Sequence, residues 1–363
     1  MPEKNIPNNA QSIIDNFEAI RFPNDIKSNN FINDTLEENK LNNYLLENSL
    51  QISKLSTPKL FECTSKVLKN LKIKSTFDIR FFVYASQEIQ AQCVAFSSNK
   101  CFIKFSSSLV NLLDKDEFCF VIGHELGHFI LGHHNSSNQQ SQINFDSLIL
   151  SRAKEISVDR VGLIASQNLN SCLSAMIKCI SGLDSEHLKI NISEFLTQLK
   201  DINLATQSES IHSSHPPMLV RCRALLWFSM LNNYQNFSEI NTNDLDNLNN
   251  KIIKDIETYI DAPILKMKND MTENLRLWLF GKKIVNIGKF SKEHQKFFIE
   301  IFGENQLKKF TNFLSLFSNK DILNEIEKKV DESSSVLKLN FPESFKSIYI
   351  SVNDRINSIF KKQ

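Results

Sequence analysis

The run Phe118-Cys119-Phe120-Val121-Ile122-Gly123-His124-Glu125-Leu126-Gly127-His128-Phe129-Ile130 constrains this chain more than any other stretch. His124 and His128 stand four residues apart, so on a helix their imidazoles leave the same face one turn apart and can share a metal ion. Glu125 sits beside the first of them, where a carboxylate can act as general base without being forced to ligate. This is the H-E-x-x-H signature of zinc hydrolysis. The chain has 8 His, so chance placement of this pattern is roughly one in a hundred. Asp114, Asp116 and Glu117 precede the run and suit the positive end of a helix. Val121, Ile122, Leu126, Phe129 and Ile130 give that helix an apolar stripe toward a core.

What surrounds the helix bounds the fold class. Aromatic and β-branched residues at Phe77–Tyr84 favour a strand. Two shorter runs, Gln92–Phe96 and Cys101–Phe105, flank the polar turn Ser97–Lys100 and predict a hairpin. Helical periodicity dominates elsewhere: over 33–55, from Pro58 to Leu71, over 145–166, 168–183, weakly over 193–202, and over 218–231. The fold class is therefore α+β, mainly helical, with a small antiparallel or mixed sheet beside the His-bearing helix. Residues 1–32, rich in Asn and polar, are expected to form a surface or partly disordered arm. Residues 33–234 would form the chemical domain. Residues 235–363 change character to amphipathic helices without a catalytic constellation and would form a helical C-terminal domain.

Charge excludes some functions. The net charge is +1, so nothing in bulk electrostatics argues for nucleic acid or an anionic membrane. No apolar window reaches the length of a membrane span, and Met1–Asn5 lacks the pattern of a secretory leader. The 7 cysteines are odd in number and scattered, without C-x-x-C spacing. They read as buried thiols in a reducing, cytoplasmic setting.

A catalytic zinc needs a third protein ligand, and two candidates compete. His134 lies ten residues after His124, the metzincin spacing, but that pattern needs glycine where Leu131 stands. Glu155 lies on the following helix with Asp159 four residues later on the same face. That pair offers a ligand and a carboxylate to orient a ligand histidine. As a plain surface face, Lys154, Glu155, Asp159 and Arg160 would form exposed ion pairs.

Gly123-His124-Glu125-Leu126-Gly127-His128, then Glu155-x-x-x-Asp159, then His215-Pro216-Pro217 with Arg221 resemble the zinc peptidases of the CAAX prenyl endopeptidase, HtpX and Oma type. The resemblance spans roughly Phe77 to Leu231. It implies a gluzincin-type core with one zinc held by His124, His128 and Glu155, and with Glu125 as the base. It further implies Asp159 behind a ligand histidine, His215 near the oxyanion, and Arg221 anchoring the Glu155–Asp159 helix. Two positions depart from the family pattern: Val94-Ala95-Phe96 replaces Asn-Ala-Phe, and Val158 replaces alanine. Membrane helices that flank many relatives' sites are not expected here.

The expected activity is a zinc-dependent endopeptidase. Its peptide or protein substrate is expected to add along Cys101–Phe105, near Lys104, if that strand is a sheet edge. The contrasting expectation is a non-catalytic peptide-binding or regulatory protein on a metallopeptidase fold, acting through residues 235–363. Zinc content and peptide turnover separate the two.

Overall fold

The computed structural model describes residues 17–27, 35–133, 144–202, 212–235, 239–288, 290–318 and 321–361. Two compact units divide the chain, one of residues 1–141 and 148–260, the other of residues 142–147 and 261–363.

The first unit opens with α1 (Thr35–Asn48), β1 (Leu50–Gln51) and α2 (Pro58–Asn70). Pro58 is tolerated at the head of α2, where its missing N–H has no helical partner. The sheet follows as β2 (Asp78–Tyr84), β3 (Ala91–Ser97) and β4 (Lys100–Ser106), with strand order β1-β2-β4-β3. β3 and β4 pair antiparallel as the predicted hairpin, while β2 and β4 run parallel. The single long helix read over 33–55 ends at Asn48, because Leu50 and Gln51 leave it to pair with Val83 and Phe82.

Next come α3 (Ser107–Leu112), α4 (Lys115–Ile130), α5 (Phe145–Ser166), α6 (Leu169–Ser181), α7 (Ile192–Thr197), α8 (Met218–Ser229) and α9 (Thr242–Ile256). A capping box starts α4: Asp114 accepts from the Asp116 and Glu117 amides, and Glu117 accepts from the Asp114 amide. From there almost every residue of α4 is buried, because the helix packs against α2, α6, β3 and β4. An apolar helix surrounded in this way can hold its two histidines at fixed positions.

Two sequence expectations change. Of the expected arm 1–32, residues 1–16 and 28–32 lie outside the described residues, and the segment 17–27 does not lie on the surface: Phe17, Ile20 and Phe22 are buried in the core of the first unit. Its spaced apolar residues give it a face to bury, and Arg160 and Ser157 of α5 bind its backbone. The division of the chain falls after Ile260 rather than near residue 235. Leu245, Leu248, Ile252 and Ile256 of α9 join the first core, so this helix is no part of a separate module.

The second unit is helical throughout its described residues: α10 (Ala262–Ile287), α11 (Lys292–Phe302), α12 (Glu304–Ser315), α13 (Ile322–Asn340) and α14 (Pro342–Lys361). Its core is aromatic, with Phe298 stacked on Phe310 at 5.1 Å and edge-on to Phe280 at 5.7 Å. Among the described residues no helix is long and apolar enough to cross a membrane.

Candidate metal centre

α4 presents His124 and His128 on one face, and α5 brings Glu155 to meet them. The Glu155 carboxylate lies 3.7 Å from His124 Nε2 and 3.6 Å from His128 Nε2. One candidate ligand atom from each of the three lies within 4.8 Å of the others. Two ligands on one tetrahedral zinc, bonded at about 2.0–2.2 Å, stand roughly 3.4 Å apart, so this spacing suits a single ion. The Glu155 carboxylate is buried, with Oε1 toward His128 and Oε2 toward His124, so both oxygens face the candidate ligand nitrogens. Two neutral imidazoles and one carboxylate are also the donor set of an open catalytic site. The residues therefore fit zinc.

Gly123 allows α4 and α5 to come this close. A Cβ at Gly123 would stand 2.3 Å from the Ala165 Cβ and 3.0 Å from the Gly162 Cα. The close approach is a backbone requirement, and only glycine meets it. The H-E-x-x-H motif alone says nothing about this residue.

Charge around the ligands is compensated. Burial opposes ionisation of Glu155, but Arg221, His215 and the two imidazoles outweigh it and hold its carboxyl well below the usual range. Asp159 behaves alike: burial raises its pKa, while Arg221 and His124 bring it below the ordinary value. Arg221 donates to both Asp159 oxygens at 2.8 and 2.7 Å, and its Nη1 stands 3.1 Å from Glu155 Oε2. Asp159 Oδ1 lies 3.0 Å from His124 Nδ1, leaving Nε2 to face Glu155. Arg221 thus clamps Glu155 and Asp159 of α5 from α8.

Glu125 is 8% exposed. Burial pushes its carboxyl up to about 7, with His124 opposing, Glu155 adding to the rise and the Cys93 backbone hydrogen bond opposing. A base poised near neutral pH suits proton transfer at pH 7. His215 Nδ1 lies 3.2 Å from Glu155 Oε2, and its side chain is 61% exposed. It lines an open cleft of about 550 Å³ with Ile180, Ser213, Pro217, Met218 and Arg221. His124, Glu125, His128, Glu155, Asp159, His215 and Arg221 are all brought to one region. His134, the competing third ligand, lies outside the described residues.

One strand assignment is corrected. Cys101–Phe105 is internal, paired on one side with β2 and on the other with β3, so its backbone has no open edge for a substrate. Among the described residues the outer strands are β3 and the two-residue β1, since a parallel β2–β4 pair places the hairpin's first strand outermost on its side.

Two groups at the site carry no motif. His133 Nδ1 lies 3.1 Å from His128 Nδ1, and its Nε2 lies 2.9 Å from Asp25 Oδ1. Burial outweighs Asp25 and keeps His133 below the ordinary imidazole range. Gly132, just past the helix end, is the one signal the sequence offers for His133. Asp25 has none, being 108 residues away along the chain.

Comparisons with known proteins agree with the motifs. Residues 54–145 match the model of peptidase family M48, a stretch that contains His124, Glu125 and His128 and stops before Glu155. A chloroplastic plastoglobule-localized metallopeptidase 48 of Arabidopsis thaliana is 25% identical over 171 residues, covering 40% of this chain and 50% of the relative. The chain thus spans about half the length of that curated relative. The resemblance to zinc metallopeptidases is borne out, and a peptidase is the activity class both matches support.

Proposed function

From the likeness to peptidase family M48, we propose that this chain is a zinc-dependent endopeptidase with a gluzincin-type core. The observation that carries the reading is the convergence of His124, His128 and Glu155, with Glu125 beside them. His124 and His128 would hold the ion through Nε2, and Glu155 through its carboxylate. When bound, zinc supplies Lewis acidity, polarising a scissile carbonyl and making the attacking water more acidic.

The protein's own groups then divide the work. Glu125 takes a proton from the attacking water and delivers it to the leaving amine, a shuttle suited to a carboxyl poised near 7. Asp159 keeps the His124 proton on Nδ1, and Arg221 keeps Asp159 and Glu155 ionised in a buried setting. His215, at the open side, is the group within reach to donate to an oxyanion.

A peptide substrate would add as an antiparallel strand on β3, with main-chain bonds supplying affinity. The Cys93 backbone on β3 faces Glu125, so a strand laid there passes beside the base. Seven free thiols support a reducing, cytoplasmic setting. The non-catalytic reading draws no support from a site in which base, ligands and clamp are all in place.

Zinc analysis together with peptide-library turnover tests the proposal. Wild type should bind one zinc per chain and cleave, and Glu125→Gln should bind zinc without cleaving. Equal turnover by both would reject it.

A further inference from the structure

The geometry points to His133 as a positioning residue for His128, with Asp25 of the N-terminal segment behind it. This deepens the metal-centre reading above and rests on it.

The placement begins at the end of α4. Gly132 takes φ of 70°, the left-handed conformation that favours glycine. The Gly132 amide donates to Phe129 O, and the His133 amide donates to His128 O at 2.9 Å. These two bonds form a Schellman motif, which turns the chain back over the last helical turn. The residue after the glycine is thereby laid against His128, although five residues is not a helical spacing. The rings meet edge-on, with centroids 5.2 Å apart.

Proton positions follow from the chain of contacts. If His128 offers Nε2 to a metal, its Nδ1 carries the hydrogen and must donate. The group facing it is His133 Nδ1, at 3.1 Å, which must then be an unprotonated acceptor. His133 consequently keeps its hydrogen on Nε2, where Asp25 Oδ2 accepts at 3.1 Å. Along the path His128–His133–Asp25 each link then has one donor and one acceptor, and Arg21 Nη1, 3.4 Å from His133 Nε2, pairs with Asp25 Oδ1 at 3.0 Å instead. Reversing either ring would set two N–H groups, or two lone pairs, against each other.

Asp25 is itself fixed from several directions. Arg21 Nη1 stands 3.0 Å from Asp25 Oδ1, and Arg21 Nη2 donates to Leu131 O at 2.8 Å. The Phe22 amide donates to Ser157 Oγ at 2.9 Å, and Arg160 donates to Ile20 O at 2.8 Å. Residues 17–27 therefore belong to the metal centre: they hold the acceptor that orients one of its ligands. His124 has a carboxylate directly behind it, whereas His128 reaches one through an intervening imidazole.

Zinc affinity of the full chain, measured by competition with a chromophoric chelator, tests this role. His133→Leu removes the acceptor facing His128 and should weaken zinc about 10–100-fold. His133→Asn places an amide oxygen near the position of Nδ1 and should recover most of that loss. A Leu variant that binds like wild type, or an Asn variant as weak as Leu, overturns the role. Should the Leu variant not fold, nitrogen-15 shifts of zinc-loaded wild type decide. They should show the His133 hydrogen on Nε2 and its Nδ1 bare as the acceptor facing His128; a hydrogen on His133 Nδ1 overturns the proposal. Wild type that binds no zinc sinks the metal centre and this role with it, whereas tight binding indifferent to residue 133 sinks the role alone.

Discussion

In the unit that ends at Ile260, Glu117, Glu125, Glu155, Asp159, Lys178 and Arg221 are all buried, whereas the unit that begins at Asp261 is filled by Phe280, Phe298, Phe310 and Phe341. The second unit's buried polar groups are fewer: His294 caps its own helix with Ser291, Arg276 pairs with Glu273 one turn away, Ser333 accepts from Asn274, and Asp146 accepts from the Glu343 and Ser344 amides. In the first unit the pairs cross between helices, as Arg221 does to Asp159 and Glu155, and Lys178 to Glu117. Burying charge costs more desolvation than its pairing reliably returns. A cluster of it around two histidines therefore indicates chemistry, while a ring-filled core indicates packing alone. Among the described residues, the two groups able to hold a metal both lie in the first unit, and one of them is fully exposed.

Substitutions can break that contrast. The largest effect is expected from Glu125→Gln: peptide turnover should fall by about 10²–10⁴-fold while zinc content stays at the wild-type level. Loss of zinc in this variant would mean that Glu125 ligates, and unchanged turnover would strip the first unit of its role. Phe298→Ala, in the second unit, should lower stability by about 3–5 kcal/mol, read by urea denaturation, and should leave zinc content unaltered. A drop in zinc content there would show that the two units are not separable in function.

Gly123→Ala is subtler. The added methyl meets Ala165, so α4 and α5 must part, at a cost of about 1–3 kcal/mol. Parting them moves Glu155 from the histidines, so weaker zinc binding should accompany the stability loss, as measured by chelator competition. Normal affinity would show that the close approach serves packing alone. The smallest effect concerns pH in metal-free protein. Because burial raises the Glu125 carboxyl to about 7, the folded state favours its protonated form, and wild type loses stability as pH rises from the unfolded-state value through 7. The melting-temperature gain of Glu125→Gln over wild type should be near zero at pH 5 and grow to a few degrees by pH 8. A gain that shrinks as pH rises would contradict the buried-base picture.

Much of this centre is legible in the sequence wherever the chain's own helix sets the geometry. His124, Glu125 and His128 are placed by a four-residue spacing, and Glu155 and Asp159 by another. The helix start at Asp114 is equally local, since its capping box closes within four residues. The mixed character of the sheet and its outermost strand are not legible, because the hairpin pattern is the same whichever strand β2 joins. The packed segment 17–27 reads as a polar arm, since its buried residues are few and interspersed with charge. The unit boundary is missed for a related reason: amphipathicity shows that α9 buries one face, but not against which core.

The sequence by itself therefore determined two imidazoles on one helix face, a base beside them and a pair of carboxylates one turn apart on a second helix, because backbone periodicity converts spacing into direction. It left the third ligand open between two residues. Tertiary structure alone decided that Glu155 meets the histidines, that Arg221 clamps it, that β3 lies at an end of the sheet among the described residues, and that Asp25 stands behind His133. Each of these depends on contacts between segments far apart in the chain, fixed by how closely α4 and α5 pack and by a glycine turn, and no local pattern encodes such distances.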